Sequence, residues 1–252
     1  MAEDLPWTSA WVTGASAGIG RALALRLAAG GCAVTASARS AGALEELHDA
    51  HSAITPRPLD VTDTAAMAAA VADMEGRQGP LDLALFNAGT YDPLPGGLGD
   101  PAVFRRHMEV NYMGVVNGLH GVLPAMKERG RGQVALMGSL SGYRGLPQAA
   151  YYGPTKAALI NLAETLRTEL GGSGVDLRIV NPGFVATRLT EKNDFTMPDL
   201  MTAEDAATAI ITGLRGTGFE IAFPRRFALV MKLARLLPYG LFFPLAARLA
   251  KE

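Results

Sequence analysis

Thr13-Gly14-Ala15-Ser16-Ala17-Gly18-Ile19-Gly20 follows the apolar run at residues 9–13 and opens the alanine- and leucine-rich stretch at 19–29. The glycines are spaced so that a strand turns sharply into a helix, and bare backbone there lets a phosphate come close. The helix behind the turn offers unpaired N–H groups and the positive end of its dipole, which suits a pyrophosphate. A glycine-rich turn occurs in loops of every kind; its place between a first strand and a helix gives it weight. Outward from this turn the same alternation repeats. Strands are expected at 9–13, 33–38, 57–59, 83–87, 133–138, 176–181 and 219–223, and helices at 19–29, 43–51, 64–78, 101–127, 154–170 and 203–214. Asp100-Pro101 and Thr202 with Asp205 read as helix starts. The pattern predicts an α/β fold: a doubly wound, parallel, seven-stranded sheet with helices on both faces.

The 252 residues carry 23 Lys+Arg against 24 Asp+Glu, a formal charge of −1, and 49% of them are hydrophobic. One domain spanning 1–252 is expected, with no Gly/Ser linker or repeat to divide it. Composition excludes collagen, low-complexity disorder and a coiled coil. The single cysteine, Cys32, leaves no internal disulfide and no cysteine-based metal set, which fits a reducing compartment. His48 and His51, three apart on a helix, have no carboxylate set around them, so no metal site is expected. The first basic residue is Arg21, so the start lacks the charged region of a signal or transit peptide and a cytoplasmic location is expected. The balanced charge speaks against a nucleic-acid surface, which needs clustered Lys and Arg.

Where the second strand ends, at Ala38, an acid would bind the two ribose hydroxyls of NAD. Arg39 stands there instead, with Ser37 just before it, and a guanidinium pairs with the 2′-phosphate of NADP. NADP(H) is therefore expected over NAD(H). Asn87-Ala88-Gly89 closes the fourth strand with small residues that would let a dinucleotide pass along the sheet edge. Tyr152 and Lys156 lie four apart at the start of a helix, on one face, and form the only Tyr-x-x-x-Lys pair in the chain. A cation about 4 Å from a phenol, at an effective dielectric near 20, is worth ~4 kcal/mol, which would bring Tyr152 down towards neutrality. Four residues after the rival Tyr151 is Thr155, so Tyr151 reads as pocket wall or packing. Ser139, at the exit of the fifth strand, could bind a carbonyl oxygen; Ser141 competes with it and could cap the next turn. Asn111 lies in a helix flanked by Val110 and Met113, either as a satisfied core amide or as a functional one.

In this combination the chain resembles the short-chain dehydrogenase/reductase family, in its compact single-domain form, over residues 8 to about 224. The residues that carry the resemblance are the glycine turn, Asp60-Val61, Asn87-Ala88-Gly89, Asn111, Ser139, Tyr152 with Lys156, and Pro182-Gly183 with Thr187. It implies a Rossmann-type fold with Tyr152 as general acid/base, Ser139 orienting the carbonyl, Lys156 lowering the phenol pKa and holding the nicotinamide ribose, and Asn111 holding a water in a proton relay. For the cofactor it implies contacts from Gly14, Ser16, Gly18, Ile19 and Gly20, from Asp60 and Val61 at the adenine, from Asn87, Ala88 and Gly89 on the adenosine side, and from Pro182, Gly183, Val185 and Thr187 at the nicotinamide. Two departures stand out. Ala17 occupies the place where NADP-preferring members often carry a basic residue, and the chain runs on past the last strand, where family tetramers usually end.

The expected activity is NADP(H)-dependent interconversion of a hydrophobic ketone or aldehyde with its alcohol, by a homodimer or homotetramer. Phe184, Leu189, Phe195, Met197 and Met201 would form an apolar flap, with Leu140, Leu146 and Tyr151 as the other wall of the pocket. The alternatives are a membrane-associated long-chain keto-lipid or steroid reductase and a non-catalytic NADP-binding sensor. Residues 225–252 read as an apolar, basic extension. From Phe223 onward the net charge is +5, leaving −6 for the rest, and the longest charge-free run within this tail, 236–247, has 12 residues and two prolines. That is too short to span a bilayer, which takes ~20 residues. Peripheral contact with a membrane, a subunit contact and a cover over the cleft remain open, and Pro238 and Pro244, read as helix breakers, favour packing over or beside the pocket.

Overall fold

The structure is a computed structural model in which residues 5–96 and 98–249 are described. Seven strands, β1 (Ser9–Thr13), β2 (Ala33–Ala38), β3 (Ile54–Pro58), β4 (Leu83–Phe86), β5 (Gly132–Met137), β6 (Val175–Pro182) and β7 (Glu220–Phe223), form one sheet. Their order is β3-β2-β1-β4-β5-β6-β7 and all neighbours are parallel. β1 and β4 are buried along their whole length because helices cover both faces of the sheet. α1 (Gly18–Ala29), α2 (Ala41–Ala50) and α7 (Ala203–Leu214) pack one core around Leu23, Leu44 and Ile210. α3 (Thr64–Gln78), α5 (Gly114–Glu128) and α6 (Gly153–Glu169) pack the other around Met67, Val122 and Leu159. The strand order reverses between β1 and β4, so the crevice at their carboxyl ends is where a doubly wound sheet binds ligands.

Asp100 and Thr202 cap their helices as expected: Asp100 Oδ1 accepts from Ala102 N at 2.8 Å and Thr202 Oγ1 from Asp205 N at 3.0 Å. β3 starts three residues earlier than the sequence suggests. Pro56 and Pro58 lie in it, and an outermost strand can hold them because a missing N–H there faces no neighbour. The single helix expected at 101–127 is instead α4 (Pro101–Met108), a π turn (Glu109–Met113) and α5. A π turn widens the helix by one residue and re-aims a side chain, here Asn111.

The largest difference lies after β7. α8 (Arg225–Leu236) and α9 (Tyr239–Leu249) are both helices, Pro238 separates them, and Pro244 sits inside α9 without ending it. Ala228, Met231 and Phe242 turn inward, but Leu229, Leu233 and Leu236 are 59%, 57% and 79% exposed. The extension is therefore only partly the cover that the prolines suggested. Arg144 fastens it to the body, donating to the carbonyls of Arg235 (3.2 Å) and Leu237 (3.1 Å) and lying over the rings of Tyr239 and Phe242 at 4.6 and 4.4 Å.

Candidate active site

The glycine turn joins β1 to α1 and is held from β4. Gly14 has φ +67°, and a Cβ on it would stand 2.7 Å from Ala88 Cα. Asn87 Nδ2 donates to the carbonyls of Thr13 and Gly14 at 3.1 and 3.2 Å, while the N–H groups of Asn87 and Ala88 donate to Thr13 Oγ1. The side chain of Asn87 thus shapes the turn from beneath. Thr187, after β6, lies against Gly18, and a Cβ at Gly20 would meet the Gly14 carbonyl at 2.3 Å. Ser16 and Ile19 sit half-buried in the same turn. α1 begins with no side-chain cap and no acid in its first turn, so its N–H groups and dipole are open to an anion. This bare, uncapped turn fits a pyrophosphate.

At the far end of the crevice the residues divide. Arg39 is exposed just beyond β2. Thr62 N donates to Asp60 Oδ1 at 2.9 Å and holds that carboxyl below its usual range, with Arg39's charge acting in the same direction. Ser37 does not join them. It is 1% exposed and its Oγ accepts from Trp11 Nε1 at 3.0 Å, because strand alternation points it into the core. Its expected contact with the cofactor is corrected accordingly. Val61 is buried against Gly114, with its carbonyl held by Asn117 Nδ2 at 2.9 Å.

Ser139, Tyr152 and Lys156 come together where β5 ends and α6 begins. Ser139 Oγ accepts from Ser141 N (3.1 Å) and Ser141 Oγ (2.9 Å) and donates to the Pro182 carbonyl at 3.4 Å. Ser141, expected as a rival or a cap, therefore supports Ser139. Lys156 is 2% exposed, donates to the Met137 carbonyl at 2.6 Å and stands 5.3 Å from the Tyr152 ring centre. Burial lowers Lys156 to about 7. Burial also pushes the Tyr152 phenol above its ordinary value, with hydrogen bonding from Ser139 opposing it in part. The expected fall of Tyr152 towards neutrality is thus reversed, since desolvation outweighs a buried amine that itself readily gives up its proton. Asn111 is fully buried. Its Oδ1 accepts from Thr90 N at 2.7 Å, and its Nδ2 donates to the Thr90 carbonyl (2.9 Å) and Thr155 Oγ1 (3.1 Å). Both amide protons are committed, so the side chain acts as a brace, and its Oδ1 accepts one bond where it could accept two. Gly89 lies beside it, a Cβ there being 3.4 Å from Asn111 Oδ1 and 3.9 Å from Lys156 Nζ.

The expected pocket is only partly assembled. Tyr151 is buried between α4 and residues 98–100, its ring against Phe104 (4.6 Å) and His107 (5.4 Å), with its OH accepting from Asp100 N at 3.0 Å. It therefore packs the fold and leaves the wall of the cleft. Met201 and Val185 form a parallel bridge and pack on the α1–α7 core, while Leu140, fully buried below Gly183, is corrected from pocket wall to support. Leu146 is half-buried and Leu189 exposed. Phe184 keeps its expected company, Phe195 at 5.7 Å, and gains Phe227 of α8 at 5.6 Å, while Asn193 Nδ2 reaches Met197 Sδ at 3.2 Å. Pro182 is buried, and Gly183 N donates to the Phe223 carbonyl at 2.7 Å. Sequence reasoning missed Tyr91. Its ring meets Tyr152 edge-on at 5.3 Å and its OH donates to Asn193 Oδ1 at 2.8 Å. Lys192 adds bonds to the Tyr91 carbonyl and Asp92 Oδ1, both at 2.7 Å, so the 190–195 segment is latched across the site.

A phosphate-type turn, a serine, a tyrosine and a lysine at one end of a doubly wound sheet define a class, and the chain belongs to it: the short chain dehydrogenase family, whose model matches residues 8–197. It is accordingly an oxidoreductase acting on CH–OH groups with NAD(P). Among relatives, an uncharacterized oxidoreductase of Myxococcus xanthus is 38% identical over 99% of this chain and 100% of its own. Among solved structures, a short-chain dehydrogenase of Streptomyces avermitilis is 28% identical with TM-score 0.81, covering 97% of this chain and 96% of its own. The closed form of a serine dehydrogenase complexed with NADP+ is 26% identical with TM-score 0.78, over 85% and 94% of the two chains.

Proposed function

We propose that the protein is an NADP(H)-dependent oxidoreductase that interconverts a hydrophobic ketone or aldehyde with its alcohol, using Tyr152 as general acid/base. The observation that carries this reading is the meeting of Ser139, Tyr152 and buried Lys156 beside an uncapped glycine turn. The turn from Gly14 to Gly20 would hold the pyrophosphate, Arg39 the 2′-phosphate, and Lys156, Pro182, Gly183 and Thr187 the nicotinamide end. When bound, the nicotinamide supplies or accepts the hydride. Tyr152, kept protonated by burial, gives its proton to the carbonyl oxygen in reduction. Ser139 would orient that oxygen by turning its hydroxyl proton to it from the Pro182 carbonyl, and Asn111 positions Thr90 and Thr155 around the site. The rings of Tyr91, Phe184 and Phe195 favour an apolar substrate. A homo-oligomer working in the cytoplasm fits this reading.

A panel of ketones, aldehydes and 3-keto acyl compounds, followed by NADPH absorbance, tests it: an apolar carbonyl should be turned over. Tight NADPH binding without turnover of any of them would favour the sensor. Arg39→Ala should weaken NADPH binding about ten- to a hundredfold, the worth of one charge-assisted contact, and leave NADH binding nearly unchanged. Equal losses for both cofactors in a binding titration would remove the phosphate role.

Burial of Tyr152 also fixes the sign of the pH dependence. With the phenol pKa raised, the donor keeps its proton and kcat for reduction should stay nearly flat from about pH 6 to about pH 9. Oxidation needs the phenolate, so its rate should climb about tenfold per pH unit across that range. A shallow inflection near pH 7 would belong to Lys156. Reduction that collapses at neutral pH in such profiles would contradict the assignment of the acid.

A further inference from the structure

Eight of the thirteen large apolar side chains exposed among the described residues lie in α8 and α9. In α8, successive residues turn by about 100°, which sets Leu229, Leu233 and Leu236 on the side opposite Ala228 and Met231. Those last two are each 5% exposed and join the core, so α8 has two apolar faces and only one of them is covered. Leu241 and Phe243 continue the outer surface onto α9, at 64% and 60% exposure. Arg144, bonded to the carbonyls of Arg235 and Leu237, presents the two helices as a fixed pair. A rigid apolar patch of this kind marks an interaction surface.

Charge decides what covers it. Residues 223–249 hold Arg225, Arg226, Lys232, Arg235 and Arg248 and no acid. Of these, Lys232 is paired with Glu220 at 2.5 Å. A two-fold contact between copies would set this basic patch against itself, because such an interface joins the same surface on both partners. An anionic bilayer offers both an apolar interior and the opposite charge. The helices have 12 and 11 residues, and among the described residues no helix is long and apolar enough to cross a membrane. We propose that the outer face of α8 and α9 docks the protein on an anionic lipid surface, lying in the interface without crossing it. Since Phe227 on the inner side of α8 stacks on Phe184, docking sets the apolar wall of the cleft close to the lipid. This inference does not depend on the proposed reaction.

Flotation of the full chain with vesicles of phosphatidylcholine alone, and of phosphatidylcholine with about one third phosphatidylglycerol, tests it. The protein should float with the anionic vesicles at about 0.1 M salt and at least tenfold less at about 0.5 M, where screening shortens the reach of its charges. Changing Arg225, Arg226 and Arg248 together to Gln should lower partitioning roughly a hundredfold, about fivefold for each charge removed. Lys232 is left alone because its loss would strand Glu220. A second variant, Leu229→Ser with Leu233→Ser and Leu236→Ser, should abolish flotation without changing the oligomeric state measured by sedimentation. Should that variant fail to fold, the arginine variant still gives the answer, since it alters only exposed groups. Absence of flotation with the anionic vesicles overturns the proposal, as does equal, salt-insensitive flotation with neutral vesicles. An oligomer that the serine variant dissociates would assign the face to a second copy instead.

Discussion

Tyr152→Phe is expected to lower the rate of carbonyl reduction by roughly a thousandfold, within the range that a positioned general acid contributes. NADPH affinity should change little. The substitution keeps the ring and its edge-on contact with Tyr91 at 5.3 Å, so the fold of the site is preserved. It removes one hydroxyl, which burial holds in its protonated form and which Ser139 faces. The neighbouring Tyr151→Phe is the control. It loses the bond from Asp100 N, worth about 1 kcal/mol of stability, and should retain most turnover. Steady-state rates with a cofactor titration by fluorescence separate the two. If Tyr151→Phe proves to be the inactive one, the acid has been assigned to the wrong tyrosine.

Gly14→Ala should damage the chain's cofactor turn twice over, through its dihedral and through a backbone clash. At φ +67° an L-residue is strained by roughly 1–2 kcal/mol. The added Cβ would also stand 2.7 Å from Ala88 Cα and 2.9 Å from Ala88 N, and backbone cannot swing aside as a side-chain tip can. Overpacking adds about 1–3 kcal/mol, so a total loss of about 2–5 kcal/mol is expected, with a fall in Tm of roughly 5–15 °C. NADPH binding should weaken with it, because the turn must open from Asn87. Gly31→Ala separates the two causes: Gly31 also has positive φ, +89°, but nothing lies within 4 Å of its Cβ. Thermal melts that show equal losses for the two variants would mean that the approach to Ala88 is relaxed and only the dihedral matters.

Most of this architecture could be read locally, and what was misread depended on direction or distance. The glycine turn, the caps at Asp100 and Thr202 and the Tyr152–Lys156 spacing are local patterns whose physics acts within a few residues. Ser37 was misplaced because a strand points alternate side chains to opposite faces, and being next to Arg39 in sequence put it on the wrong one. Tyr151 reads in sequence as pocket wall or packing, and the start of α6 turns it towards α4, which makes it packing. Tyr91 left no trace, since its partners Tyr152 and Asn193 lie far along the chain and its own surroundings read as a proline-containing loop. The sign of the Tyr152 shift was wrong because spacing reveals a nearby cation but not how little water reaches it. Pro244 reads in sequence as a breaker, yet α9 carries it in its second turn.

The prolines of β3 have an effect on what the sheet can join. Its outer edge is formed by a strand in which Pro56 and Pro58 lack the N–H groups that a further strand would need. That rim cannot serve as a template for a misfolded neighbour, so crowded or partly unfolded copies are denied the usual route to cross-strand aggregation there. Any growth of the sheet from one molecule to another has to begin at β7, on the opposite rim.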